Sequence, residues 1–153
     1  MIGIGTPRAD DAAGLAVAAL LASRPLPDGV VAIACARPLP DLLDALDGAD
    51  AAVLVDAARS GGTPGAIRRL APEDLARQRS PSSHGLGVAQ ALALATALGR
   101  APAQIEVVAI EAEQLADGAL SPAVAAAIGA AAEAALRIAR ELQDRSAAEA
   151  RDA

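Results

Sequence analysis

Asp10, Asp11, Asp56 and His84 are the residues whose types and settings could do chemistry. Asp10 and Asp11 follow Ile2-Gly3-Ile4-Gly5, a short β run with two glycines that allow a close backbone approach. Asp56 stops the run Ala51-Ala52-Val53-Leu54-Val55, and His84, the single histidine, opens a helix after Ser82-Ser83. Asp11, Asp56 and His84 together form a mixed oxygen and nitrogen ligand set. Such a set suits a borderline divalent cation and leaves coordination positions open. Each residue also has a plainer reading. Asp10 is a good N-cap for a helix from Ala12, Asp11 then sits in its first turn, and a histidine at a helix start can simply cap it or face solvent. Cys35, the one cysteine, reads as a structural residue at a strand end or as a soft ligand near the same edge. A lone cysteine forms no internal disulfide and suits a reducing cytoplasm.

Those residues need strands to carry them. Four apolar runs are predicted to be strands, at 1–5, 30–35, 51–56 and 105–110, and 66–70 is expected to be a short edge strand. Between them lie helical segments at 12–21, 41–46 and 84–99, the last ending at Gly99, a natural C-terminal glycine. Ser121-Pro122 is a helix start with Ser as N-cap and Pro at the first position, and that helix is expected to reach about Gln143. Residues 71–83, with Pro72 and Pro81, read as partly irregular. The alternation predicts one α/β domain over 1–143, followed by a polar, fraying tail over 144–153. Its form is a three-layer sandwich, with a mainly parallel sheet of about five strands and helices on both faces. The apolar run 51–55 requires cover on both sides of the sheet. In an open sheet of this kind ligands bind beyond the carboxyl ends of the strands, where Asp11, Asp56 and His84 are expected.

Composition narrows the function classes. The chain has 153 residues, 54% hydrophobic, with no aromatic residue; all 13 basic residues are Arg. Without aromatic rings there is no stacking platform for single-stranded nucleic acid. A net charge of −6 argues against a duplex-binding face. The cluster Arg68, Arg69, Arg77 and Arg79 is flanked by Glu73 and Asp74 and reads as solvated surface. The start of the chain reads as a strand and not as a basic and apolar leader, and the Ala-rich last helix is broken by Glu133, Arg137 and Arg140. A cytoplasmic, monomeric protein without nucleic-acid or membrane partners is the expectation.

Several motifs, in order, resemble the [NiFe]-hydrogenase maturation endopeptidases: Gly3-Ile4-Gly5-Thr6 with Asp10-Asp11-Ala12; Val53-Leu54-Val55-Asp56-Ala57 with Pro64-Gly65; and Ser82-Ser83-His84-Gly85-Leu86. Ala97-Leu98-Gly99 with Pro102, Val107 to Glu111, and Leu120-Ser121 extend the likeness over about residues 1–140. The resemblance implies a protease that trims a C-terminal extension from the hydrogenase large-subunit precursor after nickel insertion. It places the family's metal-binding acid, acid and histidine on Asp11, Asp56 and His84, with nickel presented by the substrate and not held permanently. It assigns no catalytic nucleophile or base. Three departures stand out: Thr6 replaces the family's Asn, Ala12 replaces a Gly, and Cys35-Ala36-Arg37-Pro38 replaces an acidic Asp-Gly-Gly-Thr segment. A catalytically degenerate module that holds the precursor or nickel without cleaving is the competing reading. A phosphate binder using Gly3 and Gly5 is disfavoured, because the third glycine and a ribose-binding acid are missing.

Overall fold

The structure is a computed structural model that describes residues 1–77, 83–114 and 117–152; the side chains of 38, 75–77, 83–86 and 152 also lie outside the description. Five strands form one sheet: β1 (Ile2–Ile4), β2 (Ile33–Cys35), β3 (Ala51–Ala58), β4 (Ile67–Leu70) and β5 (Gln104–Glu111). Their order is β2-β1-β3-β5-β4. All pairs are parallel except β4 with β5, which makes β4 an antiparallel edge. The helices are α1 (Ala13–Ala22), α2 (Pro38–Leu46), α3 (Pro72–Arg77), α4 (Ser83–Ala97) and α5 (Pro122–Asp152), with a 3₁₀ turn at Ala9–Ala12 before α1.

Strand alternation assigns the two faces. Val53, Val55, Val108 and Ile110 point to one side, where Val17 and Leu21 of α1 and Ile138 and Leu142 of α5 cover them. Ile2, Ile4, Leu54 and Val107 point to the other, under Leu42 and Leu46 of α2 and Val88, Ala91 and Ala95 of α4. With no aromatic side chain to fill space, the layers must approach closely. The closest approach is α1 on β1. A Cβ on Gly3 would lie 2.0 Å from the Gly14 carbonyl oxygen, and one on Gly14 would lie 2.2 Å from that of Ile4 and 2.3 Å from that of Val55.

The three-layer α/β expectation holds. Several boundaries differ for local reasons. The second strand covers only 33–35 of the expected 30–35, because Val30 N–H turns back to the Pro27 carbonyl. α2 starts at Pro38, since proline suits the first helical position, and Asp41 accepts the Arg37 amide. Pro72, with Glu73 and Asp74 in the first turn, starts α3 where irregular chain was expected. The last helix does not fray at Gln143 but continues to Asp152. Residues 144–152 are mostly good helix formers with no Gly or Pro, and Arg145 and Ser146 are tied to Gln104 on β5. By length and composition α5 could cross a membrane, yet Val124, Ala131, Ala135, Ile138 and Leu142 on it are spent on the sheet.

Candidate functional site

The strand order reverses at β1: the chain moves from β1 outward to β2, then returns to β3 on the other side of β1. The crevice beyond the carboxyl ends of β1 and β3 is therefore the switch point of the sheet, where open α/β sheets bind their ligands. Asp11 and Asp56 are both there.

Asp11 lies in the 3₁₀ turn after β1, and its exposure is 6%. The Thr6 amide donates to its Oδ2 at 2.8 Å, and the Thr6 hydroxyl donates to the same oxygen. Gly5 makes this wrap possible. Its φ is 150°, and a Cβ there would fall 1.8 Å from the Asp11 carbonyl oxygen. Thr6, one of the departures from the family motif, thus supplies two donors that orient the acid.

Asp56 shares the parity of Ala52 and Leu54, so it stands on the α4 side of β3. Its exposure is 7%, and its Oδ1 accepts the Ala57 amide at 2.8 Å. Burial first, then the negative charge of Asp11, push its carboxyl up to about 7, and the Ala57 hydrogen bond offsets only part of this. Two acids, drawn from chain positions 45 apart, are thus held close enough for one to disfavour ionisation of the other. A cation between them would remove that conflict.

His84 falls in the first turn of α4, on the same face of the sheet as Asp56, but its side chain and Ser82 lie outside the described residues. Among the described residues no three His, Cys, Asp or Glu gather as a metal cluster.

Asp10 has a different task from the one expected. It caps neither the 3₁₀ turn nor α1. Its carboxylate is fully buried and accepts the amides of Glu113 (2.9 Å), Gln114 (2.9 Å) and Ser121 (2.6 Å), and the Ser121 hydroxyl (3.0 Å). A buried charge needs such partners, and the distant β5–α5 connection supplies them. Burial alone would raise its pKa; the donors from Gln114, Ser121 and Glu113 outweigh that and hold it below the usual value. Asp10 therefore fixes the turn that carries Asp11.

Cys35 is wholly buried at the end of β2. Burial, then the charge of Asp41, push its thiol up to about 11, which keeps it protonated and a poor ligand. Arg68 and Arg69, expected as solvated surface, are in ion pairs with Glu111 and with Glu106 and Glu141. Sequence reading passed over Thr6 and Glu111 as site residues. Glu111 carried the same signal as Asp56, an acid ending an apolar strand.

A parallel sheet with paired carboxylates at its switch point defines an α/β protein built to meet a ligand or substrate at that edge. The hydrogenase maturation protease family model matches residues 33–138, and the chain belongs to that family, making it a peptidase. Comparison with curated protein sequences gives no match. The solved structure of the hydrogenase maturating endopeptidase HybD from E. coli is 29% identical, with a TM-score of 0.79 over 92% of this chain and 90% of that one. The [NiFe] hydrogenase maturation protease HybD from Thermococcus kodakarensis is 25% identical, with a TM-score of 0.70 over 90% of this chain and 95% of that one. The hydrogenase 2 maturation peptidase from Thaumarchaeota archaeon SCGC_AB-539-E09 is 26% identical, with a TM-score of 0.62 over 90% and 94%.

Proposed function

We propose that this protein removes a C-terminal extension from a [NiFe]-hydrogenase large-subunit precursor after nickel insertion, and that Asp11, Asp56 and His84 engage the nickel carried by that substrate. The observation that carries this reading is the pair of buried acids at the switch point, with Asp11 acting electrostatically on Asp56. Family membership supports the protease activity. Neutral imidazole and carboxylate are suitable ligands for such a metal. Bound by the acids, the substrate's metal would act as a Lewis acid on the scissile carbonyl or on a water. Thr6 and Gly5 keep Asp11 in place for this, and Asp10 anchors the turn beneath it.

The test is a gel-shift assay of purified precursor, with and without nickel, using wild type, His84→Ala and Asp56→Asn. Shortening is expected with wild type only when nickel is present, and is lost in both variants while circular dichroism shows them folded. Cleavage that persists in His84→Ala overturns the metal-recognition role. Nickel-dependent co-purification without cleavage by wild type overturns the endopeptidase reading in favour of a holding module.

A further inference from the structure

The loop that follows β3 is folded around one carboxylate. Glu111 is the last residue of β5, pairs in register with Ala58, and has an exposure of 1%. Its Oε1 accepts the amides of Ser60 (2.7 Å), Gly61 (2.9 Å) and Gly62 (3.0 Å), and its Oε2 accepts the Ser60 hydroxyl (2.7 Å) and Arg68 Nη2 (3.0 Å). Its main chain closes the same loop from the other end. Glu111 N–H donates to the Ala66 carbonyl and the Gly65 N–H donates to the Glu111 carbonyl, each at 2.8 Å. Successive amides converging on one point make an anion nest, and here the chain fills the nest with its own carboxylate. Joining β3 to β4 does not require so many bonds. They make a rigid turn at the edge of the sheet that carries Asp56.

Arg59 is the residue this turn presents. It directly follows the last residue of β3, three positions beyond Asp56. It is exposed, and no hydrogen bond or ion pair joins it to another described residue. The arginines of the neighbouring loops differ in this respect: Arg8 pairs with Asp117, Arg37 with Asp41 and Arg68 with Glu111. The crevice carries the negative charge of Asp11, so an acidic peptide segment there needs a cation to pair with. A guanidinium answers that need, because its planar fork matches a carboxylate.

We infer that Glu111 is a positioning residue that holds the Arg59–Gly62 turn as one wall of the peptide cleft, and that Arg59 on this wall pairs with a carboxylate of the precursor segment near the scissile bond. The inference rests on the endopeptidase reading above. Its test is steady-state cleavage of the nickel-loaded precursor by the full chain as wild type, Arg59→Ala, Glu111→Gln and the double variant. Arg59→Ala is expected to raise KM about tenfold, as for loss of a charge-assisted pair, with kcat within about twofold. Glu111→Gln shifts KM in the same direction. The double variant is no worse than the worse single one, because Glu111 acts through Arg59. An unchanged KM in Arg59→Ala, or multiplicative effects in the double variant, overturns the inference. If Glu111→Gln does not fold, Ser60→Ala, which removes one donor and leaves the carboxylate in place, takes its part in the cycle with the same expectations. If wild type does not cleave, the endopeptidase reading fails separately. The dissociation constants of the same proteins for the precursor, measured by fluorescence anisotropy, then decide, and equal values for wild type and Arg59→Ala overturn the inference.

Discussion

At the scale of single residues, Asp56 is held in a state that folding alone would not choose. It is buried, accepts the Ala57 amide, and faces the charge of Asp11. Its carboxyl rises from an ordinary value of 3.8 to about 7, so its effect on stability is favourable at low pH and is lost as pH rises through 7. Asp56→Asn keeps an oxygen for the Ala57 amide and removes the charge. At pH 8 it should raise stability by on the order of 1–3 kcal/mol, read as a higher Tm, while precursor processing disappears. A variant that loses both stability and activity would show that Asp56 serves the fold. Thr6 and Glu111 show what the residue types could not say by themselves. Thr6 stands where the resembling family has Asn, yet its amide and hydroxyl both reach Asp11. Glu111 closes an apolar run as Asp56 does, but the donors around it come from positions 60–62 and 68, and no local pattern announces them.

At the scale of elements, the position of α1 on the sheet decides where Asp11 stands, and two glycines set that position. Gly14→Ala would drive a Cβ against the carbonyls of Ile4 and Val55 at 2.2 and 2.3 Å. Backbone on both sides cannot yield, so a loss of about 3–5 kcal/mol is expected in chemical denaturation, with α1 and Asp11 displaced in whatever folds. Gly129 is the counter-case: it lies in α5 and a Cβ there meets nothing within 4 Å. Gly129→Ala should raise stability by about 0.5–1 kcal/mol through helix propensity and a less flexible unfolded chain. Equal effects of the two substitutions would contradict the close packing of α1. Sequence alone could not separate these glycines, since each is a glycine amid helix-forming residues. What distinguishes them is the layer each helix meets. β1, β2, β3 and β5 were legible because each falls in a bounded apolar run, and the start of α5 because Ser121 and Pro122 mark it. The full length of α5 was not, because its last turns are polar, and polarity was read as fraying although their side chains bond to β5.

At the scale of the molecule, two buried carboxylates join parts of the chain that are far apart in sequence. Asp10 ties the turn before α1 to the β5–α5 connection, and Glu111 ties the β3–β4 loop to the end of β5. In each case burial pushes the carboxyl up, and the donors around it more than offset this: the Gln114, Ser121 and Glu113 groups for Asp10, and those of Ser60, Gly62 and Gly61 for Glu111. Both folded values thus lie below the ordinary 3.8 and 4.5. A depressed carboxyl stabilises the fold fully above its unfolded value and loses that contribution as pH falls through its folded value. Thermal unfolding followed by circular dichroism should therefore show Tm falling below about pH 4.5, the opposite sign to the Asp56 effect, which develops as pH rises towards about 7. Asp10→Asn and Glu111→Gln remove the charge but leave one acceptor oxygen. Each should cost on the order of 1–3 kcal/mol at pH 7, because donors arranged for a carboxylate meet an amide instead. Below the ordinary carboxyl range, where the unfolded chain takes up protons before the folded one, the difference from wild type should shrink. A deficit that stays constant from pH 7 to pH 3 would show that the two residues act through packing and not through their charge.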